Sequence, residues 1–310
     1  MNNNYKNYDK YNCFIDYVSK FNLGEVLINE SLKKYTTLRI GGNAFCVYKP
    51  DNLDNLRKAY NFIIRNNLDF FVLGNGSNLL ISDDNHQKIF ISLKKLNNVV
   101  LKKNILNVEA GASSPVVAKG VSRLGYSGLE FLAGIPATFG GIIYMNAGAQ
   151  NKAISDCLES VTYLDEFGNL CEMVNINDKG FNYRTSPFQK RKVIIVSCKI
   201  KLNLCKNESS PLEIFNSYLQ KKKETQPLNA FSAGCAFKNH YTTPAWKLIE
   251  GAGCSNLSIN SASVSKIHHN FLVNNNNATF KDMYELLLLI QNEVYEKYQI
   301  KLEFEWCIIK

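Results

Sequence analysis

The sequence predicts a mixed α+β fold, and three observations predict it. The 310 residues exceed the roughly 100–200 that one domain ordinarily holds, so the chain is about two domains or one large one. Segments with apolar residues at helical spacing are interspersed with short runs of strand type. The character of the segments changes near Leu202, and no internal repeat is visible. With 45% hydrophobic and 20% charged residues the chain can build a substantial core.

Taken in order, "MNNNYKNYDK" is polar and predicts a flexible tail over residues 1–20. "TTLRIGGNAFCVYKP" reads as strand broken by Gly41-Gly42. In "NLDNLRKAYNFIIRNN", Leu53, Leu56, Tyr60, Ile63 and Ile64 mark an amphipathic helix. "DFFVLGNGSNLLISDD" reads as strand, glycine-rich turn, apolar run and acidic stop. "KIFISL", "NVVLKKN" and "ILNVEAGAS", about ten residues apart, predict meandering strands. "SPVVAKGVSRLG" is a helix ending at Gly125, and "ESVTYLDEFGNLCEMV" a hairpin turning near Phe167-Gly168-Asn169. "KRKVIIVSCKIKL" is a strand, "SPLEIFNSYLQKKKETQP" a helix stopped by Pro227, and "FLVN" strand-like. "TFKDMYELLLLIQNEVYEKY" is a long amphipathic helix, and "KLEFEWCIIK" closes the chain as a strand.

The bulk numbers exclude several classes. Net charge is +9, but the largest basic knot is "QKKKE" (Gln220 to Glu224) and the remainder is scattered. A nucleic-acid binder concentrates such an excess on one strip, so no nucleic acid is expected and an anionic small substrate fits better. "ELLLLI" is the strongest apolar run and falls far short of the roughly 18 residues of a membrane span. The N-terminus has no apolar stretch of the signal-peptide kind. A cytoplasmic chain with no membrane partner is expected. The nine cysteines include no C-x-x-C pair and there are four histidines, so no metal site is expected. A cytoplasmic chain keeps thiols reduced, and Cys13, Cys46, Cys157, Cys171, Cys198, Cys205, Cys254 and Cys307 read as small apolar residues.

Six stretches could carry chemistry. "LGNGSNLL" holds Gly74, Asn75, Gly76, Ser77 and Asn78, where successive N–H groups could face a phosphate. It lacks the Lys-Ser/Thr of a P-loop, and an ordinary turn is the plain alternative. "AGIPATFGG", with Gly134, Ile135, Ala137, Gly140 and Gly141, offers bare backbone on a second side. Two such stretches beside strands suggest an extended diphosphate ligand. "FNYRTS" places Arg184 after Tyr183, and Arg forks onto carboxylates and phosphates. "EFEW" puts Glu303 and Glu305 on one face of a strand. The adjacent histidines of "KIHHNF" would face opposite ways on a strand, against a shared metal. "SAGCAFKN" sets Cys235 in a turn of small residues, ahead of Lys238 and Asn239. A disulfide half, a metal ligand, a nucleophile, a proton donor and a plain small residue are all open for it.

The order of these stretches narrows the choice. "TTLRIGG", "LGNGSNLLISD", "GLEFLAGIPATFGGIIYMNAGA", "NYRTS", "SAGCAFKN", "AWKLIEGAG", "VSKIHHNFLVNNNNAT" and "LEFE" together resemble the UDP-N-acetylenolpyruvoylglucosamine reductases of peptidoglycan precursor synthesis. The resemblance runs from about Thr36 to Ile308. It implies an FAD-binding region of the vanillyl-alcohol-oxidase type at 21–202, a smaller α+β substrate domain at 203–300, and a C-terminal strand at 301–310 carrying Glu305. It implies non-covalent FAD at Gly74, Asn75, Gly76, Ser77, Asn78, Gly134, Ile135, Ala137, Gly140 and Gly141, and NADPH as electron donor. Hydride would pass through the flavin to the terminal carbon of the enolpyruvyl ether of a UDP-sugar, giving UDP-N-acetylmuramate. Tyr183, Lys238 and Asn239 would bind substrate. Arg184 and Glu305 would steady the charge that develops on the substrate carboxylate. Cys235 would stand where many members have the serine that protonates the carbon. An ordinary thiol, with a pKa near 8.5, is mostly protonated at pH 7 and is a stronger acid than a hydroxyl, at the liability of oxidation.

The chain departs from that pattern at Ala137, at His240 and in "INSASVS" (Ile259 to Ser265). Little room lies between Asn239 and Trp246 for an inserted tyrosine loop, so the shorter type of reductase is expected, as a monomer. The rival readings are another FAD oxidoreductase on the same scaffold and a flavin- or nucleotide-binding protein without catalysis.

Overall fold

The computed structural model describes residues 2–205 and 210–310, with side chains from residue 10 onward. The chain divides into two compact units. The first comprises residues 1–30, 44–74 and 87–218; the second comprises 31–43, 75–86 and 219–310. Two short early segments belong with the C-terminal part, and 203–218 belong with the first unit.

The first unit begins with helix α1 (Asn2–Lys20), where a flexible tail was expected. Tyr11, Phe14 and Val18 recur at helical spacing and are buried. Phe14 meets Tyr48 edge-on at 5.6 Å, and Tyr17 stacks on Phe62 at 4.6 Å. The Asp69 N–H donates to the Tyr11 hydroxyl at 3.1 Å. Phe62 lies on α2 (Leu53–Arg65), whose N-cap Asn52 accepts from the Asn55 N–H. Leu56, Ala59, Tyr60 and Ile63 form its buried stripe.

Two larger sheets lie in this unit, beside two-stranded pairs of Gly148–Ala149 with Lys152–Ala153 and of Tyr126–Ser127 with Asn203–Leu204. In one, strands Glu25–Ser31, Asn43–Lys49, His86–Ser92 and Phe70–Leu73 lie in that order, the last pair parallel. Residues 36–42, expected as strand, form none. In the other, Leu170–Val174, Leu158–Leu164, Ile194–Lys201, Ile105–Glu109 and Val99–Lys102 are neighbours in order, all antiparallel. The expected meander is thus a hairpin of its last two strands, while its first strand pairs elsewhere. Helix α3 (Ser114–Arg123) follows, with Pro in its first turn, then α4 (Phe139–Tyr144) and, later, α5 (Pro211–Thr225).

The second unit is built on α7 (Phe280–Tyr298). Its N-cap Thr279 and Asp282 exchange hydrogen bonds in a capping box, and Met283, Leu286, Leu287, Ile290 and Val294 are buried. They share a core with Leu248 and Ile249 of α6 (Ala245–Gly251) and with Ala262, Val264 and Leu272. The last three belong to a three-stranded antiparallel sheet of Ser258–Ile259, Ala262–Val264 and Leu272–Asn274. The end of the chain is strand only at Cys307–Ile309, which runs parallel to Leu79–Ile81. Glu305 therefore lies before that strand. Among the described residues no helix is long and apolar enough to cross a membrane.

Candidate active site

Gly74, the first glycine of the earlier glycine-rich stretch, adjoins the later one within the first unit. Gly74 ends the Phe70–Leu73 strand. A Cβ added there would lie 2.9 Å from Thr138 Oγ1 and 3.9 Å from Gly141 Cα, closer to the threonine than packed side chains tolerate. Bare backbone is a condition of this approach. The second stretch is held from its other side, where the N–H groups of Phe139 and Gly140 donate to the carbonyls of Ala112 and Ala110 at 3.0 and 2.8 Å. The Ser114 N–H donates to the Ala137 carbonyl at 2.9 Å, and Gly134 takes φ +68°. Ile135 donates to Leu132, so the 132–137 backbone folds on itself before α4 begins.

Helix α4 also carries the Tyr183-Arg184 turn. Asn182 and Thr185 exchange backbone hydrogen bonds at 3.0 Å each, leaving Tyr183 and Arg184 at the tip. Gln189 Nε2 donates to the Tyr144 and Arg184 carbonyls, Ser186 Oγ donates to the Tyr144 carbonyl, and Asn146 Nδ2 donates to the Asn182 carbonyl. Arg184 sits at φ +55°, a conformation a non-glycine residue keeps only where its surroundings impose it. Its guanidinium lies over the Tyr183 ring at 5.0 Å.

The second unit gathers Asn75, Gly76, Ser77, Asn78, Cys235, Lys238, Asn239 and Glu305. Gly76, at φ +66°, is where a Cβ would overlap the Tyr35 carbonyl. Asn78 faces the end of the chain. Its Nδ2 donates to the Glu305 carbonyl at 3.0 Å, and its own carbonyl accepts from the Cys307 N–H at 2.9 Å. Residues 303–305 run antiparallel to 236–238. The Glu305 N–H donates to the Ala236 carbonyl and the Lys238 N–H to the Glu303 carbonyl, both at 2.8 Å, with Phe237 and Phe304 bridged between them. Trp306 Nε1 reaches the Gly234 carbonyl at 3.4 Å, and Gly234 turns at φ +78° to present Cys235. Cys235 bridges to Phe271 on its other side. Lys238 pairs with Glu303 at 3.0 Å, and Asn239 Oδ1 accepts from the Ala245 N–H that opens α6.

The remaining thiols divide by exposure. Burial raises Cys46 and Cys157 to about 12 and Cys254 to about 11, and pushes Cys198 up as well. These stay protonated and serve as small apolar residues. Cys13 and Cys205 are exposed, so the apolar reading fails for them. "KIHHNF" is turn up to Asn270 rather than strand, and His268 Nδ1 accepts the Asn270 N–H at 3.2 Å. Among the described residues no three His, Cys, Asp or Glu side chains group as a metal site. A cavity of about 590 Å³ near Lys33, Arg39 and Asn276 contains none of the expected site residues, and there the first α7 N–H is already bound by Asp83.

The structure thus brings Asn78, Cys235 and Glu305 together within one unit, and Gly74, Gly141 and the Arg184 turn within the other. Sequence reasoning missed Thr138, Asn146, Gln189, Trp306 and Asn270, which hold these groups from behind. Asn270 lies in "HHNF", a stretch that carries the resemblance but in which only the histidines were weighed for a role.

The first unit thus holds a glycine stretch packed too closely for a Cβ at Gly74, and the second holds the Cys235 turn paired through its backbone with the segment that carries Glu305. Comparison with known proteins agrees part by part. Residues 44–173 match the family model "FAD binding domain", and residues 226–309 match "UDP-N-acetylenolpyruvoylglucosamine reductase, C-terminal domain". The chain is 38% identical over 281 residues to the UDP-N-acetylenolpyruvoylglucosamine reductase of Carboxydothermus hydrogenoformans, covering 90% of this chain and 92% of that one. It is 37% identical to that of Caldanaerobacter subterraneus, covering 92% and 94%. The crystal structure of the reductase from Thermus caldophilus superposes with TM-score 0.79 at 32% identity, covering 93% of this chain and 99% of that one. The chain belongs to the UDP-N-acetylenolpyruvoylglucosamine reductases. Its fold is an FAD-binding domain followed by that family's C-terminal domain. Its activity is FAD-dependent reduction of the enolpyruvyl ether of UDP-N-acetylglucosamine to UDP-N-acetylmuramate, with a UDP-sugar substrate and a nicotinamide cofactor.

Proposed function

We propose that Cys235 supplies the proton, and Arg184 and Glu305 the charge stabilisation, for a reaction driven by NADPH. Gly74, Asn75, Gly76, Ser77, Asn78, Gly134, Ile135, Ala137, Gly140 and Gly141 would hold FAD without a covalent bond. The close packing of Gly74 against Thr138, next to Gly141, supports this by holding residues of the two glycine-rich stretches together. Bound there and reduced by hydride from NADPH, the flavin would supply that hydride to the terminal enolpyruvyl carbon. Tyr183, Lys238 and Asn239 bind the UDP-sugar. The adjoining carbon gains carbanion character, drawn onto the substrate carboxylate. Preorganised charge there is the largest catalytic contribution, and Arg184, held in an imposed backbone conformation, has the fork to meet it. The Cys235 Sγ–H then gives its proton to that carbon, and the resulting thiolate regains one from water.

The observation that carries this reading is the backbone ladder between residues 236–238 and 303–305, which fixes the Cys235 turn alongside Glu305. Ser232 Oγ, three residues ahead of Cys235, is buried with no hydrogen bond to a described residue, which supports a polar ligand at this turn. The protein is further read as a cytoplasmic monomer of the shorter type, with neither nucleic-acid nor membrane partner. The test separates the half-reactions by stopped flow. Cys235→Ala is expected to be reduced by NADPH at the wild-type rate and to be reoxidised slowly by the enolpyruvyl substrate, with Cys235→Ser restoring most of the loss. Unchanged reoxidation in Cys235→Ala would assign the proton to another group.

A further inference from the structure

We propose that Asn270 is a positioning residue that sets the register of the Cys235 segment. The proposal rests on the assignment of Cys235 as proton donor. The strip 235–238 has two edges. On one, the carbonyl of Ala236 and the N–H of Lys238 pair with Glu305 and Glu303. The other edge exposes the N–H and carbonyl of Phe237, which no strand covers. The Asn270 side chain takes that place. Its Oδ1 accepts from the Phe237 N–H at 3.0 Å, and its Nδ2 donates to the Phe237 carbonyl at 2.8 Å. One primary amide thus imitates the peptide of a neighbouring strand. The Asn270 carbonyl also accepts from the Ala236 N–H at 2.8 Å, so a single residue makes three hydrogen bonds to two successive residues of the strip.

Asn270 is 2% exposed, so water cannot replace it. Leaving both Phe237 groups buried and unbonded costs far more than a surface hydrogen bond. Its own placement is fixed by the His268 ring and by the Cys235–Phe271 bridge. Phe237, once held, stacks obliquely on Phe304 at 5.6 Å, next to Glu305. The amide fixes how the peptide groups of the strip beside Cys235 are paired.

Asn270→Asp gives a test that a merely structural role would not pass. A protonated aspartic acid can still accept from the Phe237 N–H and donate its O–H to the Phe237 carbonyl. Ionised, it sets a carboxylate against that carbonyl and loses the donor. Burial raises a carboxyl pKa, so the protonated form extends upward in pH. Other charged or titratable groups facing this cluster are His268, which burial holds below its usual pKa, His269 near Glu250, the Lys238–Glu303 pair, Cys235 and Glu305. All are present in wild type as well. The ratio of variant to wild type therefore isolates residue 270.

The holoenzyme is followed by stopped flow across pH, with NADPH and then the enolpyruvyl UDP-sugar. Iodoacetamide alkylation of Cys235 is followed by peptide mass. Asn270→Asp is expected to be reduced by NADPH like wild type. Its substrate-driven reoxidation is expected to be slower at high pH by about 10²-fold, the order of a 1 Å misplacement, and to return toward wild type as pH falls. The alkylation ratio should move over the same range. Asn270→Ser, which adds no buried charge, is the second variant; it should show the reoxidation defect without recovery in acid. The assignment is overturned if Asn270→Asp follows the wild-type profile, if its defect is flat with pH, or if flavin reduction falls equally. Failure of the underlying reading would show differently, as wild-type activity surviving Cys235→Ala.

Discussion

The two units prepare their groups by opposite means. In the first, the surface is made by omission: glycine at 74, 140 and 141 and small residues between them, with one arginine held at φ +55° on a tight turn. In the second, the groups are fixed by addition. Backbone pairs to backbone across 236–238 and 303–305, and Asn78, Asn270 and Trp306 bond the remaining carbonyls. The first arrangement suits the binding of a large flat ligand, where any extra atom is an obstacle. The second suits proton transfer, where a displacement of 1 Å is expensive.

The comparison breaks most sharply at Cys235. Cys235→Ala should lose about 10²–10⁴-fold in turnover while flavin content stays at the wild-type value, measured by absorbance after gel filtration. A parallel loss of flavin would mean that the Cys235 turn also retains the cofactor. Next is Arg184→Ala, with an expected fall of about 10²–10³-fold in reoxidation, the order found for one preorganised donor. Glu305→Ala should behave alike. Either variant with wild-type reoxidation by the enolpyruvyl substrate leaves the mechanism.

Phe14→Ala probes the frame of the first unit alone. A fully buried phenylalanine truncated to alanine costs about 3–5 kcal/mol, read as a shift in the urea midpoint. A shift near zero would return α1 to the status of a dispensable tail. Gly74→Ala is a smaller change in the same unit. Overpacking against Thr138 costs about 1–3 kcal/mol and should appear as weaker FAD retention, relieved in Gly74→Ala/Thr138→Ala. If the double variant binds FAD no better than Gly74→Ala, the threonine is not the obstacle.

The smallest effect concerns the capping box of α7. The Thr279 N–H, with Asn260 as a second donor, holds the Asp282 carboxyl below its usual pKa. A carboxyl depressed in the folded state stabilises it above the unfolded pKa near 3.9. That stability is lost as pH falls through the lower folded value. Asp282→Asn should therefore flatten the acid limb of the unfolding curve, by about 0.5–2 kcal/mol as for other caps. An unchanged acid limb would show that the box contributes nothing.

The candidate site could be read from short strings: "NYRTS", "SAGCAFKN" and "LEFE" each carry one side chain of the proposed mechanism, and helices α2, α3, α5 and α7 form where the sequence predicts helices. What stayed hidden was long-range. Nothing local says that Leu79–Ile81 pairs with Cys307–Ile309, so the interleaved division of the chain could not be read. The N-terminal helix was obscured by asparagine and lysine, although Tyr11, Phe14 and Val18 already had the spacing. Asn270 was unreadable for another reason: an amide that satisfies someone else's backbone looks in sequence like any loop asparagine.

That pairing of residues 79–81 with 307–309 has a consequence for biosynthesis. Residues 75–86 leave the ribosome long before their partners are translated, because Asn78 and Glu305 are 227 positions apart. The second unit cannot close its ladder until residues 303–309 have been read. Until then residues 79–81 wait without their strand partner, whereas all five strands of the sheet built from residues 99–201 already have theirs.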